Sequence, residues 1–93
     1  MMHPGQEQFW VYVVWNARHQ KYYVGQTGDL ESRVAQHNDP GNDFSKFTKR
    51  FPGEWELLHA EEFPTRADAL KRERSLKGGQ GRDWIKKTVL PGP

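Results

Sequence analysis

Two tyrosines, an arginine, a histidine and one distant glutamate carry the chemistry that this chain could perform. Tyr12 lies in the run Phe9-Trp10-Val11-Tyr12-Val13-Val14, and Tyr23 follows eleven residues later in Tyr22-Tyr23-Val24-Gly25. Arg33 comes ten residues after Tyr23, His37 four after that, and Glu73 far downstream. Phenols, a guanidinium, an imidazole and a single carboxylate form a kit for cutting a phosphodiester with one metal ion, because that reaction rewards charge stabilisation and an activated water.

Each group also has a plainer reading. Glu73 falls on a helical stripe between Leu70 and Leu76, where an ionised carboxylate needs a cation. Lys77 at i+4 is one partner, and a hydrated Mg²⁺ is the other. Arg33 can run its stem past Leu30 and Val34 to solvent, or fork onto a phosphate. His37 is either structural or, one turn after Arg33, a member of the same site. Strand tyrosines usually pack, and a free phenol with a pKa of about 10 is a poor base unless a cation lowers it. Gly25 is either a strand-end glycine or a point where a nucleic-acid backbone comes close.

The elements that must position these groups are legible in the pattern. Residues 9–15 are a nearly unbroken β-branched and aromatic run, which suits a central strand covered on both faces. Residues 21–26 form a second strand, joined by the polar linker Asn16-Ala17-Arg18-His19-Gln20 into an antiparallel hairpin. With Trp15 opposite Gln20, Tyr12 stands opposite Tyr23 and both rings share a face; a slip of one residue would part them. A third strand is expected at 55–63. Thr27 and Asp29 open a helix over about 30–38, whose stripe is Leu30, Arg33, Val34 and His37. A short helix at 43–50 puts Phe44, Phe47 and Phe51 on one side. Thr65 and Asp68 have the spacing of a capping box, starting a helix that stops at Gly78-Gly79. Its inward stripe reads Ala69, Leu70, Glu73, Leu76 and Lys77. A last helix over about 83–90 offers Trp84, Ile85, Thr88 and Val89. The order β-β-α-α-β-α-α predicts an α+β fold, a small three-stranded antiparallel sheet flanked by helices, with one sheet face free to hold a shallow site.

Bulk properties set limits. Ninety-three residues make one domain, here 9–90, with a disordered tail at 1–8 and a frayed end at 91–93. Hydrophobic content is 34% and mean hydropathy −0.99, so the core must lean on large rings. Cysteine is absent, which excludes disulfides and thiolate metal sites and fits a reducing cytoplasm. No apolar run approaches the ~20 residues of a membrane span. Net charge is only +2, but residues 64–93 hold eight Lys/Arg against three Asp/Glu, and residues 1–63 hold six against nine. One basic end on a near-neutral chain suits an anionic polymer, with Lys71, Arg74 and Lys77 as candidate phosphate contacts.

Taken in order, these residues resemble the GIY-YIG nuclease superfamily in its short, stand-alone form. Trp10-Val11-Tyr12 stands where the family has Gly-Ile-Tyr, and Tyr23-Val24-Gly25 is one conservative change from the second motif. The stretch Gly25-Gln26-Thr27-Gly28-Asp29-Leu30-Glu31-Ser32-Arg33 resembles the segment running to the family's arginine. Asp39-Pro40-Gly41 resembles the turn of the short members, and Phe63-Pro64-Thr65-Arg66-Ala67-Asp68-Ala69-Leu70, leading to Glu73 and Lys77, their metal-binding helix. The resemblance covers about residues 9–90. It implies hydrolysis with one divalent metal, Mg²⁺ or Mn²⁺, on Glu73. It also implies charge stabilisation by Arg33, a water handled by Tyr12 or Tyr23, and His37 supporting a phenol. The first glycine is replaced by Trp10, a late assisting polar residue has no match, and no extra DNA-reading domain is present.

The expected function is therefore a metal-dependent endonuclease, with DNA favoured over RNA, in repair or recombination. It would act as a monomer or weak dimer, with room for a targeting partner. The rival readings are a silent nucleic-acid-binding module, and an interaction subunit anchored by exposed Trp10, Trp55 or Trp84.

Overall fold

The computed structural model describes residues 8–41 and 45–92. Strand β1 (Phe9–Asn16) forms a hairpin with β2 (Lys21–Thr27). Helices α1 (Leu30–His37) and α2 (Lys46–Arg50) follow, then β3 (Glu56–Phe63), α3 (Arg66–Lys77) and α4 (Gly79–Trp84). The antiparallel sheet has the order β2-β1-β3, so the most apolar strand is central, as its composition demands. From Val11 to Asn16 every residue of β1 is buried.

The two sides of β1 feed two cores. Val11, Val13 and Val24 meet Ala69, Leu76 and Ile85 from α3 and the C-terminal helix. Tyr12, Val14 and Trp55 form the other core, with Tyr23, Leu30, Val34, Phe51 and Ala60 packed around them. The expectation of one sheet face left open is thus wrong: α1, Trp55 and Phe51 cover it, and Tyr12 is fully buried. Trp55 is likewise buried, which removes it as a surface anchor. Trp10 and Trp84 are only partly exposed.

The hairpin register differs from the sequence expectation by two. Asn16 pairs with Lys21, Tyr12 with Gly25, and Tyr23 with Val14. Asn16 belongs to the strand, because its buried amide takes part in three hydrogen bonds. Its Oδ1 accepts from the His19 amide at 3.0 Å, and its Nδ2 donates to the carbonyls of Phe51 and Pro52 at 2.9 and 3.3 Å. The turn is closed by Gln20 in the left-handed region, at φ 56°. A displacement of two preserves side-chain parity, so the tyrosines still share a face, as diagonal neighbours with ring centroids 6.4 Å apart. On the other side, β3 carries one extra residue where pairing jumps from Val13–His59 to Val14–Leu57.

Helix α1 begins where Asp29 accepts from the Ser32 amide at 3.2 Å. Its end is tied to the core by Asn38, whose Oδ1 accepts from the Trp55 amide at 2.6 Å while its Nδ2 donates to the Trp55 carbonyl at 3.0 Å. Helix α2 starts at Lys46, capped by Ser45. Asp43 and Phe44 of the expected helix lie outside the described residues, as do residues 1–7 of the expected tail. Helix α3 opens on the Thr65 cap as anticipated, with the Asp68 amide 3.1 Å from the threonine hydroxyl. Ala69 and Leu76 are buried, but Lys77 of the expected inward stripe is exposed.

The C-terminal helix begins earlier than the sequence suggested. Helix α4 starts at Gly79 and runs into one π-helical turn over Ile85–Val89, closed by the Leu90 amide on the Ile85 carbonyl at 3.0 Å. Gly-Gly-Gln-Gly reads as a loop, yet buried Gly81 presses against the last turn of α3. Ile85 is buried and Thr88 faces solvent.

Candidate active site

Tyr12, Tyr23, Arg33 and His37 come together where β1 and β2 meet α1. The Tyr12 hydroxyl lies 2.8 Å from His37 Nε2, and His37 Nδ1 lies 3.1 Å from Thr48 Oγ1. The Thr48 hydroxyl donates to the Ser45 carbonyl at 3.4 Å, so its oxygen accepts from Nδ1–H. That leaves Nε2 unprotonated, as the acceptor for the Tyr12 hydroxyl. Thr48 thus sets the tautomer. Sequence reasoning missed it, since Ser45-Lys46-Phe47-Thr48 signals only a helix start.

Gly25 makes the phenol pair fit. A Cβ at this position would fall 2.5 Å from the Tyr12 hydroxyl oxygen and 2.9 Å from Tyr23 Cε2. The space that a side chain would need is taken by the two tyrosines, which is a reason for glycine here independent of any nucleic-acid contact. Tyr23 is half-buried. Its ring meets His37 edge-on at 5.0 Å and stacks on Phe47 at 5.9 Å.

Arg33 also reaches this cluster. Its Nε donates to Gln36 Oε1 at 2.9 Å, and its guanidinium charge acts on the Tyr12 phenol. Burial still dominates: it pushes the Tyr12 phenol well above its ordinary value, the Tyr23 phenol adds to this, and the Arg33 charge offsets it only in part. Tyr12 is therefore a neutral, enclosed phenol, and Tyr23 is the one that water can reach. Burial, with the Arg33 charge second, lowers His37 from 6.5 to about 4, so the imidazole is neutral at pH 7.

This shift has a measurable consequence. As pH falls below 6.5, the unfolded chain binds a proton that folded His37 refuses until about 4. Stability from this group is whole above pH 6.5 and is lost as pH falls towards 4, at most about 3 kcal/mol. Water reaching the ring through the cleft lined by Gln36, Asn38 and Thr48 reduces that figure. Urea unfolding at stepped pH should show a shallower decline in His37→Gln than in the wild type. Parallel declines would mean that His37 is not held neutral.

Glu73 stands at the edge of the cluster, close enough for its charge to act on Tyr12. Its side chain is 18% exposed, and Oε2 accepts from Lys77 Nζ at 2.7 Å. Among the described residues, no three His, Cys, Asp or Glu side chains gather as a metal cage. One carboxylate oxygen that already holds an ammonium fits Mg²⁺ or Mn²⁺ keeping most of its water shell. Of the expected phosphate contacts, Lys71 and Arg74 are exposed. Lys71 lies about 160° round α3 from Glu73, so it belongs to a different face from the site.

Comparison with known proteins identifies the family and the fold. A UPF0213 protein encoded in the ldhD 5′ region of Pediococcus acidilactici is 34% identical over 84 residues, covering 89% of this chain and 83% of that protein. A UPF0213 protein of Halobacterium salinarum is 40% identical over 57 residues, covering 60% of this chain and 69% of that one. The solution NMR structure of a UPF0213 protein from Bacillus halodurans superposes with a TM-score of 0.52 at 19% identity, over 90% of this chain and 88% of the other, and shows the same fold. The family model described as the GIY-YIG catalytic domain matches residues 8–87, the span that holds both tyrosine motifs, Arg33, His37 and Glu73, and the chain belongs to the GIY-YIG family.

Proposed function

We propose that this protein is a metal-dependent endonuclease that hydrolyses phosphodiester bonds in DNA. The observation that carries this reading is the Tyr12–His37 hydrogen bond, with the Arg33 charge acting on the same phenol. A guanidinium, a second phenol and a nearby carboxylate all act electrostatically on Tyr12, and a phosphate bound beside this cluster would meet the Arg33 cation.

In the reaction, a water oxygen bonds to phosphorus and gives up a proton to solvent, the bridging P–O bond breaks, and the departing sugar oxygen takes up a proton from solvent. Arg33 donates to a non-bridging oxygen and offsets the charge that builds there. Tyr23, the accessible phenol, orients the water. Tyr12 and His37 form the fixed hydrogen-bonded support behind it. Glu73 would hold one divalent cation, Mg²⁺ or Mn²⁺, which when bound supplies Lewis-acid stabilisation of the phosphate. A cation held there would compete with the Lys77 ammonium for the Glu73 carboxylate. Exposed Arg74 and Lys77 would contact the anionic backbone. A reducing, cytoplasmic setting and a role in DNA repair or recombination are consistent with the chemistry. Among the described residues, no helix is long and apolar enough to cross a membrane.

The test is cleavage of linear, nicked, flapped and branched DNA, with matched RNA, in Mg²⁺, Mn²⁺ or EDTA. The expected result is cutting of DNA in either metal and none in EDTA. Binding that weakens with salt, without cutting in any metal, would instead make this a nucleic-acid-binding module.

A further inference from the structure

Beside Tyr23 lies a cleft of about 390 Å³, lined by Tyr22, Tyr23, Val24, Phe47, Leu76, Lys77 and Arg82. Two large apolar side chains among the described residues stand well exposed, Phe47 at 39% and Leu57 at 38%, and Phe47 forms one wall of this cleft. Its ring lies within 29° of parallel to that of Tyr23. Lys77 Nζ stands 5.9 Å from the Tyr23 ring centroid. Arg82 is held at the rim by a hydrogen bond to the Lys77 carbonyl at 3.0 Å. Two aromatic rings with two cations on one side form a surface that is apolar within and positive at its edge.

We propose that this cleft is a base-binding subsite, taking one unpaired nucleobase next to the scissile phosphate. The inference rests on the nuclease reading for its position, since Tyr23 belongs to both the candidate active site and the cleft wall. Its chemistry stands independently. Every nucleobase has a π-face that stacks on aromatic rings, whatever its sequence, and the phosphates flanking it seek cations such as Lys77 and Arg82. A protein or lipid partner would find the apolar floor acceptable but would not need two cations beside a phosphodiester-cutting cluster. A base stacked and paired within a duplex cannot enter such a cleft without first leaving the helix. The substrate class is therefore DNA with at least one unpaired nucleotide at the cut: a single strand, gap, flap or junction.

The test is binding in EDTA, where cleavage does not intervene. The probe is an oligonucleotide carrying 2-aminopurine, presented single-stranded, in a one-nucleotide gap, or fully paired. Stacking quenches its fluorescence. The wild type should quench the unpaired probe and bind it more tightly than the duplex. Phe47→Leu keeps apolar bulk against Phe51 and Trp55 but removes the π-face. It should weaken unpaired binding about 5- to 100-fold and leave duplex binding unchanged, and Phe47→Tyr should restore it. Wild-type affinity for the unpaired probe in Phe47→Leu, with its melting temperature retained, would overturn the subsite alone. Quenching lost in Phe47→Leu, together with no cleavage in any metal, would uphold the subsite and remove the nuclease reading. A wild type that binds none of the three probes would overturn both.

Discussion

Glu73→Gln is expected to abolish metal-dependent cleavage while leaving the fold intact. The substitution preserves shape and removes one negative charge. Among the described residues Glu73 belongs to no group of three His, Cys, Asp or Glu side chains that could share a cation, so the amide removes the charge on which cation binding there would depend. Loss of that charge should cost at least about a thousandfold in rate, several kcal/mol of transition-state stabilisation. Folding should barely respond. The Glu73–Lys77 pair is an i,i+4 contact with Lys77 about half exposed, at 51%, and such pairs contribute about 0.3–0.5 kcal/mol. The measurement is single-turnover cleavage in Mg²⁺ and in Mn²⁺, with urea unfolding of the same preparation. A variant that cuts at the wild-type rate would remove Glu73 from the site. One that fails to cut because it has unfolded would show instead that the carboxylate is structural, contrary to its edge position.

The difference in expected size between rate and stability explains what the sequence could show. Polar residues interrupting an apolar stripe cost free energy unless they are used, and Arg33, His37 and Glu73 stand out for that reason. Parity along a strand is equally legible, so the shared face of Tyr12 and Tyr23 survives a register error of two. Absolute register is not legible, because it turned on whether Asn16 belongs to the strand or the turn, and its partners Phe51 and Pro52 lie some 35 residues away. Thr48 was invisible for a similar reason. Its value comes from His37, eleven residues distant, and nothing in a short basic helix announces it. The packing reason for Gly25 was hidden because the sequence cannot say which neighbour fills the place of a missing side chain; the structure answers with Tyr12 and Tyr23. Closure of the second sheet face depends on Trp55, which the sequence offered equally well as a surface anchor.

Gly81 illustrates the same limit with the largest expected effect on stability. Gly81→Ala should destabilise the domain by about 3 kcal/mol or more, a large part of the 5–15 kcal/mol typical of a folded domain. The added methyl would collide with the Ser75 carbonyl oxygen and Leu76 Cα, and would stand 2.7 Å from the Leu76 carbonyl carbon. These are backbone atoms of α3 and cannot rotate aside, so α4 must move away from α3. That movement would separate Leu76 from Ile85, both buried in the same core, and carry Arg82 away from the cleft beside Tyr23. Gly79→Ala supplies the contrast. Nothing stands within 4 Å of its Cβ position, so alanine should be neutral or stabilise by up to about 1 kcal/mol through helix propensity. Thermal and urea unfolding should place Gly81→Ala well below the wild type and Gly79→Ala at or above it. Equal stability of Gly81→Ala and the wild type would mean that α4 does not pack at this distance, and the placement of Arg82 at the cleft would fall with it.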